Sequence, residues 1–178
     1  MFDSIWFFAR RQLAPRWKRV LGTSHPFAAL ILGLGGANFP AFQENSARVS
    51  EFAGALLTYN TVVIGFCVTA MAICFTFSKR FSTILSKISD NDTGFSAFED
   101  LIFVFSWTSI VHISSLVLIL SIYLSGGSVE IKYYFNGNFT WLKFIGISVQ
   151  SYAIAQFLVT AIVVHQAAIL HSKVSSQD

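Results

Sequence analysis

The chain has 178 residues, of which 54% are hydrophobic and only 12% are charged, and its mean hydropathy is +0.61. Soluble domains carry about 25% charged residues, so this chain has too little charge to cover a water-facing surface, and its 19 Phe exclude a disordered chain. Its net charge of +3 includes a basic stretch that favours an anionic lipid surface over nucleic acid: Arg10, Arg11, Arg16, Lys18 and Arg19.

Residues 1–22 have the pattern of an amphipathic helix that lies in the membrane interface. Apolar side chains such as Trp6 and Trp17 recur at helical spacing, and basic side chains such as Arg19 lie on the other side. Pro15 predicts a kink within this segment. A secretory signal is the alternative, because an apolar run and small residues follow the basic stretch, but the apolar first eight residues disfavour it.

Three stretches, 52–78, 101–124 and 144–170, exceed the roughly 20 residues that cross a bilayer and contain no Asp, Glu, Lys or Arg. A fourth stretch, 26–42, is shorter and rich in glycine. With four crossings, nine Lys and Arg lie on the membrane side that holds both termini, and three lie on the other side. With three crossings, eight lie on one side and four on the other, which is a weaker bias. We therefore predict an all-α, multi-pass protein of the inner (plasma) membrane, with four transmembrane helices and both termini cytoplasmic.

The chain is predicted to form one transmembrane domain, 1–178. Its segments are the interfacial helix 1–22, the first span 26–42, the second span 52–78, a cytoplasmic loop 79–100, the third span 101–124, an outer loop 125–143, the fourth span 144–170 and a cytoplasmic tail 171–178. The cytoplasmic loop begins as a continuation of the second span, and Ser96 and Glu99 have capping-box spacing at the start of the third. In the outer loop, alternating side chains before Asn136 and Gly137 predict a small β-hairpin.

Small residues recur every three or four positions on the second span, and a shorter set occupies one face of the fourth span. In lipid, such faces allow two helices to approach closely, either within the chain or between copies of it. We predict that they form helix-packing or oligomer interfaces: Gly54, Thr58, Thr61, Gly65, Thr69, Ala72 and Thr76 on the second span, and Ala153, Gln156 and Thr160 on the fourth.

Three polar residues inside the spans, Asn60, His112 and Gln150, are further candidates for function. An ionisable side chain at the depth of His112 is a functional candidate by default. It could be a hydrogen-bonded neutral imidazole, a pH-sensitive switch or a haem ligand. The second haem ligand would be His165, but that residue is expected about 12 Å from the membrane centre, which argues against the pair.

The spans contain no carboxylate, which disfavours a proton- or sodium-coupled transporter. The sequence also shows no nucleophile–base constellation and no phosphate-binding loop, so we expect no enzyme activity, no cofactor, no metal and no direct contact with nucleic acid. Seven residues along one helix place Cys67 and Cys74 about 10 Å apart, too far for a disulfide.

The segments Leu57–Phe66 (LTYNTVVIGF) and Cys74–Arg80 (CFTFSKR) resemble small helical membrane proteins of bacterial anti-phage systems, including the membrane subunit of Kiwa and the membrane effectors of retrons. The resemblance implies an oligomeric sensor that signals membrane disturbance to a cytosolic DNA-acting partner, or an effector that breaches the membrane. It transfers no site residues. We expect lipid contact, a homo-oligomer and a cytosolic protein partner bound through the N-terminal helix and residues 79–99.

Two other functions fit the same sequence. The chain could be an accessory or anchor subunit of a larger membrane complex. It could also be a small channel or carrier, with a pore lined by Asn60, Gln156 and His112.

Overall fold

The computed structural model describes residues 8–21, 24–37, 46–77, 79–88, 94–124 and 141–175, and every regular element in these ranges is helical. The elements are a π-helical turn (Ala9–Leu13) and the α-helices α1 (Ala14–Leu21), α2 (Ser24–Ala37), α3 (Ser46–Phe75), α4 (Lys79–Lys87), α5 (Ala97–Leu124) and α6 (Trp141–Ser175). The helical fold class is confirmed. The predicted hairpin falls on residues 125–140, which lie outside the described residues, and α6 begins directly after them.

Three of the described helices are long and apolar enough to cross a membrane, over Ala53–Phe75 of α3, Ala97–Ser121 of α5 and Phe144–Lys173 of α6. They correspond to the second, third and fourth predicted spans. The apolar part of α2, Ser24–Gly35, is shorter. With 14 residues, α2 is about 21 Å long, less than the roughly 30 Å of a bilayer core.

Large apolar side chains on the outer surface of these helices indicate that lipid surrounds them. Ile31 on α2 is 69% exposed, Val62 on α3 is 65% exposed and Ile162 on α6 is 58% exposed. Soluble monomers rarely expose contiguous apolar surface on this scale. The exposed side chains therefore agree with a multi-pass membrane protein.

Helix α5 packs along both α3 and α6, and α2 packs on α6. The α3–α5 contact contains a cluster of buried side chains in which Cys67 and Cys74 of α3 meet Leu101 and Phe105 of α5. Both cysteines are free thiols and serve as small apolar packing groups.

The second span ends at Phe75 and does not continue into α4 as one helix. Beyond the end of α3, the Thr76 amide donates to the carbonyl of Ile73 at 2.9 Å, three residues back, which tightens and closes the last turn. Helix α4 then buries Phe81 and Leu85 and packs on α5. The expected helical spacing is present, but it belongs to a separate short helix.

The start of α5 confirms the predicted capping box. The Ser96 amide donates to Glu99 Oε2 at 2.8 Å, and the Glu99 amide donates to Ser96 Oγ at 3.2 Å. These reciprocal bonds use two amides at the helix start that lack helical partners. The first residues of the third span are thereby fixed, including Asp100 in its first turn.

Candidate functional site

Four polar side chains meet where α3, α5 and α6 come together, and we call this group the polar junction: Asn60, His112, Ser115 and Gln150. The first three are fully buried, and Gln150 is 5% exposed. Burying polar groups in an apolar region costs free energy unless they are hydrogen-bonded. Their shared burial makes this group the main candidate for a functional site.

The amide oxygen of Gln150 links the three helices of the polar junction. It accepts a hydrogen bond from Asn60 Nδ2 of α3 at 2.8 Å and another from Ser115 Oγ of α5 at 2.6 Å. Asn60 Nδ2 also donates to the carbonyl of Leu56 at 2.8 Å, which uses its second hydrogen. One side chain of α6 thus holds both neighbouring spans in register.

His112 projects from α5 into the same junction. Its Nδ1 lies 2.9 Å from the carbonyl oxygen of Thr108, and a carbonyl can only accept, so Nδ1 carries the proton and donates. In the neutral ring Nε2 is then an acceptor. The ring packs against Tyr59 and Phe157, with centroid separations of 5.8 and 6.4 Å.

A pair of buried hydroxyls also joins α5 and α6, one turn from His112 along α5. Thr108 Oγ1 and Thr160 Oγ1 are 2.6 Å apart, and Thr160 Oγ1 donates to the carbonyl of Gln156 at 2.9 Å. Since the Thr160 hydroxyl has one hydrogen, the Thr108 hydroxyl is the donor to Thr160. Ala153 is fully buried on the same face of α6. The small-residue face predicted on the fourth span is therefore used within the chain.

Three atoms of the polar junction are buried without a hydrogen-bond partner in the described part of the chain: Asn60 Oδ1, Gln150 Nε2 and His112 Nε2. They comprise one amide acceptor, one amide donor and one ring nitrogen. This set contains no nucleophile–base pair. Among the described residues no group of three His, Cys, Asp or Glu could hold a metal ion. His165 is exposed on α6, whereas His112 is buried.

Replacing Gln150 by Leu is expected to lower the free energy of unfolding by about 1–2 kcal/mol, because Ser115 loses its acceptor and Asn60 loses one of two. Thermal denaturation in detergent measures this change. Gln166→Leu is the matched control, since Gln166 lies on the same helix but is exposed, and it should change stability by less than about 0.5 kcal/mol. Equal losses in both variants would contradict a stabilising role of the junction.

The small-residue face predicted on the second span is turned away from the other described helices. Gly54 is half-buried, the remaining members are exposed, and a Cβ added at Gly54 or Gly65 would meet nothing within 4 Å. The hydroxyls of this face bond backward within α3, as when Thr69 Oγ1 donates to the carbonyl of Gly65 at 2.9 Å. This face is therefore largely exposed in the described part of the chain, and we call it the open face of α3.

Arg16 departs from the expectation that it lies on the membrane surface with the other basic residues. It is only 2% exposed, and its Nε and Nη2 donate to one oxygen of Asp100 at 2.9 and 2.7 Å. Gln12 accepts from Nη1 at 2.7 Å, and the guanidinium stacks 3.6 Å from the Phe95 ring centre and 4.6 Å from that of Phe103. This corrects the prediction for Arg16, whereas Arg10 and Arg11 are exposed.

The pairing of Arg16 was missed from the sequence, although one signal was present. The Gln12–Arg16 spacing of four residues places both on one helical face, and Asp100 follows the capping box that starts α5. Pairing across 84 residues depends on tertiary structure and could not be deduced from either segment alone.

Comparison with protein-family models, with curated proteins and with solved structures finds no match for this chain. The resemblance of Leu57–Phe66 and Cys74–Arg80 to anti-phage membrane proteins therefore stays a prediction.

Proposed function

We propose that this protein is an oligomeric inner-membrane sensor or effector of a bacterial antiviral defence system, which signals to a cytosolic partner or perturbs the membrane. The resemblance of the second span supports the defence assignment. The open face of α3 is the main support for an oligomer, because it is a close-packing surface that is exposed in the described part of the chain. The three candidate spans support an integral membrane protein.

The open face lies directly opposite the side of α3 that packs on α5. At 100° per residue, Gly65 is about 160° from Val63 and Cys67, both of which are buried against α5. A second helix could therefore approach Gly65 without disturbing the protomer. Close approach of this kind is the main source of helix association in lipid, where the hydrophobic effect between helices is absent.

Gly65→Leu is expected to break the oligomer while leaving the protomer folded, because the new side chain fills the space a partner helix needs, and a Cβ at this position meets no described atom within 4 Å. The particle mass in mild detergent measures this, and it should fall to that of one chain. Gly35→Leu is the control. A Cβ at Gly35 also meets no described atom within 4 Å, but Gly35 lies on α2, away from the open face of α3. An unchanged mass for Gly65→Leu would refute an interface at this face.

We further propose that the chain crosses the bilayer four times and that the first crossing is built from α1 and α2. This extends the predicted span 26–42 back into the segment predicted as an interfacial helix. Arg16 pairs with Asp100 at the start of α5, whereas Gly33 lies against Ser148 near the start of α6. The Thr108–Thr160 and Ser115–Gln150 hydrogen bonds make α5 and α6 antiparallel, so these are opposite ends of the bundle. The helical residues 16–21 of α1 and 24–33 of α2 together have a helical length of about 24 Å, close to a bilayer core.

Reporter fusions at the two termini test the number of crossings. Fluorescent-protein fusions at the N-terminus and at the C-terminus should both be bright, because that reporter folds in the cytoplasm. Alkaline phosphatase fusions at the same positions should be inactive. One bright and one dark terminus would show an odd number of crossings and overturn the proposed topology.

Membrane potential and phage growth test the proposed function. Cells that express the chain alone, and cells that express it with its genomic neighbours, are infected while a potential-sensitive dye is recorded. Depolarisation by the chain alone indicates an effector, and protection only with a neighbour indicates a sensor. The monomeric Gly65→Leu variant should lose either activity, whereas Gly35→Leu keeps it. Absence of protection and of depolarisation in every strain would reject the defence role.

The accessory-subunit alternative uses the same open face of α3, because a helix of an unrelated subunit could pack there equally well. Purification from the native host in mild detergent separates the two cases. A particle that contains only this chain supports the homo-oligomer, and a stoichiometric second membrane protein supports the alternative.

A further inference from the structure

A cavity of 520 Å³ lies between α1, α2, α4, α5 and α6. Its volume falls within the range of about 300–1,000 Å³ that small-molecule sites have. Most of the side chains that line it are apolar, such as Val20 of α1, Leu85 of α4 and Val159 of α6. The cavity therefore suits a ligand that is itself largely apolar.

The two charged residues among the described residues that line the cavity, Arg16 and Asp100, pair with each other. The guanidinium donates to one carboxylate oxygen through Nε and Nη2, at 2.9 and 2.7 Å, and two aromatic rings cover it. A charged group of a ligand would have to leave water without gaining a counter-ion of its own, which is costly. The cavity therefore favours an uncharged ligand.

Two further polar side chains line the cavity at matching depth, His25 of α2 and Gln156 of α6. Gly33 of α2 lies against Ser148 of α6, and these two helices run in opposite directions. His25 lies eight residues before Gly33, and Gln156 lies eight residues after Ser148. Both are therefore about 12 Å from the point where α2 meets α6, toward the same end of the bundle.

His25 and Gln156 are both half-buried, and neither side chain has a hydrogen-bond partner among the described residues. A polar group inside an apolar region is costly without a partner and is a functional candidate when it lies in a span. An imidazole and a side-chain amide can each donate an N–H. The pair can therefore hold a ligand that carries two hydrogen-bond acceptors.

One wall of the same cavity is aromatic. Phe103 and Trp107 of α5 both line it, with ring planes only 8° from parallel and centroids 6.4 Å apart. Trp107 Nε1 already donates to Tyr152 Oη at 3.0 Å, so Trp107 offers a ligand its ring and not its N–H. Flat conjugated rings pack well on a surface of this kind.

We propose that this cavity binds a lipid-soluble quinone, with its ring beside Phe103 and Trp107 and its carbonyl oxygens accepting from His25 and Gln156. A quinone ring is flat and uncharged, and it carries two carbonyl acceptors on opposite sides. Its hydrocarbon tail matches the apolar side chains that line the rest of the cavity. The site lies apart from the open face of α3 and requires neither the oligomer nor the defence role.

Equilibrium binding of decylubiquinone to the purified full-length protein in mild detergent tests the class of ligand. The protein should bind decylubiquinone at least about tenfold more tightly than decylbenzene, which has a flat ring and the same tail but accepts no hydrogen bond. 1-Decanoylglycerol is uncharged and has hydroxyl groups but no flat ring. It should also bind at least about tenfold more weakly than decylubiquinone.

Two conservative substitutions test the hydrogen-bond donors. His25→Phe keeps an aromatic ring but removes the N–H, and it should weaken decylubiquinone binding about fivefold, the effect of one hydrogen bond. Gln156→Leu should weaken it by a similar factor for the same reason. His165→Phe is the matched control, because His165 is exposed on α6 and does not line the cavity. It should leave the affinity unchanged.

A pair of tryptophan substitutions on α5 tests the place of binding. Val104→Trp puts a large side chain into the cavity and should abolish the binding of decylubiquinone. Val117→Trp is the matched control, since Val117 is 54% exposed on the same helix and does not line the cavity. That variant should bind decylubiquinone as the wild type does.

The proposal is wrong if decylbenzene or 1-decanoylglycerol binds as tightly as decylubiquinone, because the quinone ring is then not recognised. Equal effects of Val104→Trp and Val117→Trp would place the ligand elsewhere on the protein. If Val104→Trp does not fold, His25→Phe and Gln156→Leu decide, and an unchanged affinity in both would overturn the site. These measurements need neither phage nor partner, so the quinone site and the defence role can fail separately.

Discussion

Asp100→Asn is expected to lower the free energy of unfolding by about 3 kcal/mol, the largest loss we predict for a single substitution. The variant leaves the Arg16 guanidinium, which is 2% exposed, without its counter-ion, and a buried charge that loses its partner costs about 3–5 kcal/mol. The expected loss of stability lies at the lower end of this range because Asp100 is 29% exposed and the rings of Phe95 and Phe103 still contact the cation. Thermal denaturation in detergent at neutral pH measures the loss.

The double variant Arg16→Leu with Asp100→Leu provides the control for this prediction. Removing both charges leaves no buried unpaired ion, and an apolar replacement of an ion pair is often neutral. The double variant should therefore be more stable than Asp100→Asn. If Asp100→Asn unfolds at the wild-type temperature, the pair contributes nothing to stability and the anchoring of α1 on α5 must have another cause.

Gly33→Ala is expected to destabilise the protein by about 1–2 kcal/mol, and Gly35→Ala, two residues later, to stabilise it by up to about 1 kcal/mol. A Cβ at Gly33 would overlap Ser148 Oγ and lie 3.2 Å from the carbonyl oxygen of Phe144, so α2 must move away from α6. At Gly35 nothing lies within 4 Å, and alanine has the higher helix propensity. The opposite signs are read from the melting temperatures of the two variants.

A double-mutant cycle identifies Ser148 as the cause of the Gly33 effect. Ser148→Ala removes the overlapping oxygen, so the double variant Gly33→Ala with Ser148→Ala should lose less stability than the sum of the single changes. Additive losses would mean that the backbone of α6, and not Ser148, limits the approach of α2. Stabilisation by Gly33→Ala would contradict close packing at this crossing.

The spans could be predicted from the sequence because each long apolar stretch must satisfy its backbone inside lipid, and only a helix does so. The start of α5 could also be predicted, because its capping box involves only two residues that are close in sequence, Ser96 and Glu99. The end of α3 was not predictable, because the spacing of Phe81 and Leu85 continues a helical pattern across a break. Periodicity shows which face of a helix is apolar, but it does not show whether two segments form one helix.

The candidate site was predictable by residue type but not by arrangement. Asn60, His112 and Gln150 stand out because polar residues are rare inside spans, yet their meeting point depends on how α3, α5 and α6 rotate about their axes. The pattern of small residues predicted a packing interface on α3 and another on α6, without distinguishing contacts within the chain from contacts between copies. One face is buried in the chain and the other is open, which depends on the packing order around α5.

The attachment of Arg16 to Asp100 has a mechanical consequence. Asp100 and His112 lie on one uninterrupted helix, about 18 Å apart along its axis. A force applied to the residues that precede Arg16 would therefore act on α5 itself. This helix contributes Ser115 and His112 to the polar junction. A displacement of α1 would therefore be transmitted to α5 directly through the Arg16–Asp100 pair.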